Sequence, residues 1–283
     1  MKKGLVLEGG AMRGLFSAGV TDVMMENGIR FDGLIGVSAG AVFGCNYKSV
    51  QPGRALRYNT KYCNHPKYCS FRSLIKTGDL YGADFCYREL PQKLDLFDTD
   101  TFNQNPMEFH LVCTDVTTGK AVYHQCETAD DECLEWFRAS ASMPMVSRIV
   151  EVGGHKLLDG GIADSIPLRY FEGLGYKKNV VVLTQPKDYI KKKNRMMPLI
   201  RLAMRQYPEM IRAMADRHVH YNETVRYINK QEAAGRIFVI RPEAPLPVGH
   251  IEHNPDKLKE THEIGRQVAL ARLDALRSFL SAD

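Results

Sequence analysis

Apolar positions in this chain come in two spacings: short continuous runs closed by glycine, and longer stretches that recur every three to four residues. Leu5-Val6-Leu7-Glu8 is a run that leads into Gly9-Gly10-Ala11-Met12-Arg13-Gly14. Beyond it, Leu15, Phe16, Ala18, Gly19, Val20, Val23 and Met24 keep helical spacing, and Asn27-Gly28 stops the helix with a residue tolerant of positive φ. Phe31–Val37 is a second buried run, and Ala39-Gly40-Ala41-Val42-Phe43 opens a helix of small residues. The same reading predicts strands at 4–8, 33–37, 109–114, 120–124, 148–152, 156–158, 179–184 and 236–241. Gly153-Gly154 reads as the turn of a hairpin. From Pro255, Leu258, Val268, Ala271, Leu273 and Leu276 follow a helical pattern that ends near Leu280. Strand and helix alternate, which predicts an α/β fold with a mostly parallel central sheet, helices on both faces and an extra helical C-terminal region. The expected division is a core over 4–185, with a lid or insertion over 50–105, and an extension over 186–283 packed on that core.

The glycine turns carry the candidate chemistry. Gly36-Val37-Ser38-Ala39-Gly40 reads G-x-S-x-G between a strand and a helix, the pattern of a turn that leaves a serine hydroxyl exposed. A structural serine in a glycine-rich turn gives the same five letters. The upstream loop Gly9–Gly14 opens a helix, so it presents unpaired N–H groups and a positive dipole end, suited to a phosphate or an oxyanion. A dinucleotide site needs an acid at the end of the second strand, and that position falls inside Val37-Ser38, with Asp32 lying before the strand. Adjacent parallel strands would instead bring the loop beside Ser38. Downstream, Asp159-Gly160-Gly161 places an acid at a strand end; an ordinary Asp-Gly turn is the other reading.

Four blocks in this order resemble the patatin-like phospholipase family: the glycine loop with its arginine, the elbow 36–40, Ala139-Ser140-Ala141-Ser142-Met143-Pro144, and Asp159-Gly160-Gly161. Cys113–Gly119 is similar to another stretch of the bacterial members. The resemblance covers residues 4 to about 185 and implies a three-layer sandwich and a Ser-Asp dyad without histidine. It makes Ser38 the nucleophile, Asp159 the base, and the loop of Gly9, Gly10, Ala11, Met12, Arg13 and Gly14 the oxyanion hole, chiefly through the N–H groups of Gly10 and Ala11. Gly36, Val37, Ala39 and Gly40 shape the elbow, and Gly160 and Gly161 complete the acidic motif. The family's usual third glycine is Ala11 here; an alanine serves if its φ is negative, and a positive φ puts the hole in doubt. The implied activity is hydrolysis of lipid acyl esters, needing no metal and no cofactor. Acyl transfer, thioester hydrolysis and non-catalytic lipid binding are the alternatives. The α/β-hydrolases share the elbow and need a late histidine, for which His250, His253 and His262 are available. Several strands precede the elbow in that fold, and two do so in this sequence.

Composition narrows the setting. The 283 residues are 44% hydrophobic and 25% charged, ordinary values for a globular chain with one large core. No apolar run is long enough for a membrane span. Lys2-Lys3 before Leu5-Val6-Leu7 superficially resembles a leader, but Glu8 and Arg13 interrupt it too early. Seven cysteines, an odd number, fit reduced thiols and an expected cytoplasmic location, with a membrane-peripheral variant. Cys63, His65 and Cys69 match no usual zinc spacing. The net charge of +5 is unevenly placed. Over 187–217, Lys187, Lys191, Lys192, Lys193, Arg195, Arg201, Arg205 and Arg212 alternate with Met196, Leu199, Ile200, Leu202, Met204, Met210 and Met214. Such a basic amphipathic segment suits an anionic membrane surface or a cover over an acyl pocket; a packed helix with a solvated basic face is the other reading. No recognition motif accompanies the charge, so nucleic acid is not an expected partner.

Overall fold

The computed structural model describes residues 1–282. Eight strands form one sheet: β1 Lys2–Leu7, β2 Gly33–Val37, β3 Glu108–Asp115, β4 Ala121–Gln125, β5 Val150–Val152, β6 His155–Asp159, β7 Tyr176–Val182 and β8 Ile237–Ile240. All eight predicted runs are strands, with ends moved by up to three residues. The helices are α1 Gly14–Glu26, α2 Ala39–Lys48, α3 Arg54–Tyr62, α4 Phe71–Thr77, α5 Thr99–Gln104, α6 Asp131–Ser140, α7 Leu168–Gly173, α8 Met197–Ala203, α9 Pro208–Ala233, α10 Pro255–Ala271 and α11 Leu273–Ser281. A wide π-type helix over Phe85–Leu94 lies between α4 and α5.

Strands β3, β2, β1, β7 and β8 run parallel in that order, with β1 central. Side-chain alternation divides them between two cores. Leu5, Leu7, Leu34, Phe109, Leu111, Val180 and Val182 pack with Phe16, Val20 and Ala41 on one face. Val6, Ile35, Val37, Val112 and Val181 pack with Phe171, Tyr221 and Ile228 on the other. Both faces are covered, so the parallel strands read as continuous apolar runs. On the first face α1 meets α10 closely: a side chain at Gly19 would strike the His262 carbonyl, and one at Gly265 the Phe16 carbonyl.

One irregularity of the sheet builds the site. Val112 pairs with Val37 of β2 and also with Tyr123 of β4, so β2 and β4 occupy opposite edges of β3. Cys113 and Thr114 pair with β4 and also with Asp159 and Leu158 of β6. Strand β6 therefore takes the edge that β2 has just vacated, antiparallel and end-on to it. The chain leaves the sheet at Val37, and the slot is filled from the far side by Asp159. Gly153 and Gly154, at φ 57° and 76°, make the turn that returns β5 into β6.

Candidate active site

Ser38 follows β2 and caps the N-terminus of α2 with φ 54° and ψ −123°. The turn is tight: a Cβ on Gly36 would lie 2.5 Å from the Gly40 carbonyl oxygen, and one on Gly40 2.5 Å from that of Leu7. Those contacts explain the two glycines by close approach. The Ser38 N–H donates to the Ser140 Oγ at 3.0 Å, and the Ser140 hydroxyl donates to the Val112 carbonyl at 2.7 Å. Ser140 thus pins the elbow to β3, which gives the 139–144 segment a physical role. The same segment fixes Asp159, whose N–H donates to the Ser142 carbonyl at 2.7 Å. Thr114 Oγ1 holds the Asp159 carbonyl at 2.8 Å, and the Gly161 N–H donates to Asp159 Oδ1 at 2.7 Å. A side chain at Gly160 would strike the Val112 carbonyl, so the chain can pass there only as glycine.

Asp159 is 5% exposed and stands beside Ser38, itself 9% exposed. Burial pushes the Asp159 carboxyl above the usual range. The Ser38 hydroxyl, the Arg217 guanidinium and the Gly161 N–H favour the charged form and oppose that rise only in part. A carboxylate with a raised pKa is a stronger base for an alcohol than an exposed one.

The glycine loop lies against the elbow, with Gly9 so close that a Cβ there would sit 3.2 Å from the Ser38 Cβ. Gly10 precedes a short 3-10 turn over Ala11–Arg13, and Gly14 opens α1. The N–H groups of Gly10 and Ala11 have no protein acceptor among the described residues. Ala11 has φ 49°, in the left-handed region where a Cβ costs about 1–2 kcal/mol. The negative φ expected of an alanine here is therefore not found; the chain adopts the strained conformation, and in it the Ala11 N–H is left without a protein acceptor. Met12 and Ala11 line an apolar cavity of about 340 Å³ that opens at Ser38. Its walls include Phe43, Tyr58, Leu90 and Phe137, so much of the 50–105 segment faces it.

Several supports of the site come from distant parts of the chain and had no role in it from sequence; His250 entered there only as a late histidine for the α/β-hydrolase alternative. Glu8 is buried, accepting from the Tyr221 hydroxyl at 2.7 Å and the Thr184 N–H at 2.5 Å. Arg217 on α9 donates Nε to the Gly161 carbonyl at 2.5 Å. His250 lines the cavity with Ser38. Each reaches the site only through the tertiary fold, so no local signal marks its role. The basic segment also divides. Ile200, Met204, Met210 and Met214 are buried against Val116, Leu158 and Ile162, and none of them lines the cavity. As a cover over an acyl pocket it is therefore misplaced: its apolar stripe is partly core. Ile190, Met196, Leu199 and Leu202 remain exposed. Among the described residues no three His, Cys, Asp or Glu side chains converge as a metal cluster would, Cys63, His65 and Cys69 included.

A sequence-family model described as Patatin-like phospholipase matches residues 5–172, and one described as a domain of unknown function (DUF6363) matches 207–281. The uncharacterized protein YjjU of Escherichia coli is 28% identical over 93% of this chain and 74% of its own length. An uncharacterized NTE family protein of Mycobacterium bovis is 29% identical over 63% of the chain, and the lysophospholipase nte1 of Aspergillus niger 28% identical over 61%. The chain spans about half the length of the mycobacterial relative, at 48%, and 11% of the fungal one.

Proposed function

The chain belongs to the patatin-like phospholipase family, and from that premise we propose that it hydrolyses acyl esters of lipids through an acyl-enzyme on Ser38, with Asp159 as the base. The observation that carries the reading is the end-on meeting of β2 and β6, which sets the Ser38 side chain against a buried carboxylate. The Ser38 hydroxyl gives its proton to Asp159 as its oxygen attacks the ester carbonyl. The N–H groups of Gly10 and Ala11 take the oxyanion, and Arg13 of the same loop supports the developing charge. One such donor is worth about 3–4 kcal/mol in the transition state. The tetrahedral adduct then expels the alcohol, which leaves with the proton from Asp159. Water attacks the acyl-serine by the same path in reverse and releases the acid.

The acyl chain occupies the cavity, whose volume of about 340 Å³ falls within the roughly 300–1,000 Å³ of small-ligand sites. The segment 50–105 serves as its lid. The functional unit is a core over 4–185 with 186–283 packed on it, since Arg217 and His250 reach the site from the latter. The exposed Ile190, Leu199 and Leu202, set among Lys192, Lys193, Arg195 and Arg201, support docking on an anionic membrane surface from the cytoplasmic side.

The test is release of fatty acid from a mixed glycerophospholipid extract, followed by mass analysis. Wild type is expected to release fatty acid. Ser38→Ala should abolish release, and Asp159→Asn should lower it by about 10²–10⁴-fold. Release undiminished in Ser38→Ala defeats the reading.

A further inference from the structure

Ser38 stands between two unlike surroundings. One is the apolar cavity; the other is basic, with Arg13, Lys191 and Arg217 near the glycine loop and the Asp159-Gly160-Gly161 turn and acting on the charge of His250 in the cavity lining. Arg13 belongs to the loop itself. Arg217 holds the Gly161 carbonyl through Nε, and its Nη2 lies 3.2 Å from where a Gly161 Cβ would be. Lys191 is clipped to α9 by reciprocal bonds with Asn222, of 2.9 and 3.0 Å, which bring its Nζ to 4.2 Å from the centre of the Tyr221 ring. His250 lines the cavity mouth beside Ser38.

These groups feel one another's charge. Burial first, then Arg217 and Arg13, bring Lys191 down to about 8, with Glu8 opposing. Burial, then Arg13, Arg217 and Lys191, hold His250 below the usual imidazole range. Yet none of Arg13, Lys191 and Arg217 forms an ion pair among the described residues. Glu8, the carboxylate within reach of Lys191, already accepts from Tyr221 and Thr184. Arg13 Nε is buried without a hydrogen-bond partner. A fold that crowds like charges and leaves their donors free raises its own electrostatic energy, and a bound anion relieves that cost.

We propose that Arg13, Lys191, Arg217 and His250 form a phosphate subsite, which selects glycerophospholipids of net negative headgroup while the acyl chain lies in the cavity. The inference rests on Ser38 being the nucleophile. A headgroup that carries its own ammonium cancels much of the attraction, so the subsite separates anionic from zwitterionic lipids. It differs from the exposed basic segment, which meets a surface rather than one molecule.

The experiment uses short-chain phosphatidylglycerol and phosphatidylcholine below their aggregation concentrations, so that vesicle binding does not contribute. The expected kcat/KM ratio favours phosphatidylglycerol, and Lys191→Gln lowers that ratio about tenfold, the scale of one charge-assisted hydrogen bond. In wild type the ratio should fall as pH rises past about 8, where Lys191, facing Tyr189, Tyr221, Glu8, Arg13, Arg217 and His250, loses its proton. Lys191→Arg should restore the ratio and remove that pH step, an outcome a merely structural role does not give. Inorganic phosphate should raise KM for phosphatidylglycerol more than for phosphatidylcholine. A wild-type ratio near one, with phosphate inhibiting both lipids alike, assigns the cluster to the free ion and overturns the proposal. Equal hydrolysis of both lipids by a protein still acylated at Ser38 sinks the subsite alone. No hydrolysis and no modification of Ser38 sinks the nucleophile reading beneath it.

Discussion

Ser38 and Ala11 hold positive φ without being glycine, at 54° and 49°, and they lie on facing loops. Strain of this kind costs about 1–3 kcal/mol per residue and persists where the surroundings over-determine it. Ser38 is held by Ser140 and by the close approach of Gly36 to Gly40. Replacing it with glycine removes the Cβ penalty, so Ser38→Gly should raise Tm by about 2–4 °C in calorimetry while abolishing ester hydrolysis. Ala11→Gly should stabilise by about 1 kcal/mol through the same relief, partly offset by the extra freedom of the unfolded chain. A loss of stability in Ala11→Gly contradicts the strained reading of that residue. Asp159 belongs to the same scale. As the proposed base it acts when deprotonated, and burial raises its pKa, so activity should be lost as pH falls through a value above the usual aspartate range of about 3.9. The acid limb of kcat/KM reports it directly. The elbow was legible because its glycines and serine are neighbours in sequence. The conformation of Ala11 was not, since the loop's glycines, which tolerate positive φ, do not adopt it and its alanine does.

Two strands meeting end to end form the central device of the site, and a small connecting segment locks it. Ser140 joins the elbow to β3 by donating and accepting at once, and Ser142 holds the Asp159 N–H. Ser140→Ala leaves the Ser38 N–H and the Val112 carbonyl short of a partner in a buried place, which costs about 1–3 kcal/mol. Urea denaturation is expected to show that loss, and kcat should fall because the elbow loosens. Unchanged stability argues that water replaces the hydroxyl. The central parallel strands could be read from local runs because they are buried on both faces and so nearly continuously apolar, and β5 and β6 from the Gly-Gly turn that joins them. Their pairing could not. Nothing in residues 155–159 states that they enter the slot left by residues 33–37, which depends on β3 offering one edge to both.

Across the whole molecule, the extension over 186–283 supplies edge strand β8, the long helix α9 behind the Glu8 face, and three of the four basic groups near the site, Lys191, Arg217 and His250. The basic segment illustrates how far composition reaches. Its alternation of charge and methionine announced an amphipathic surface, and the structure gives Ile200, Met204, Met210 and Met214 to the core while leaving Ile190, Leu199 and Leu202 outside. Periodicity registers an apolar face, not what it packs against. Flotation with vesicles should show binding that needs anionic lipid, weakens with salt, and drops in a Leu199→Ser, Leu202→Ser double variant. Equal partitioning to neutral and anionic vesicles contradicts an electrostatic contact. Among the described residues no helix is long and apolar enough to cross a membrane. The most direct test of the account is intact mass after treatment with a fluorophosphonate. It predicts one adduct on wild type, mapped to Ser38, and none on Ser38→Ala; an unmodified wild type, or an equally modified Ser38→Ala, contradicts it.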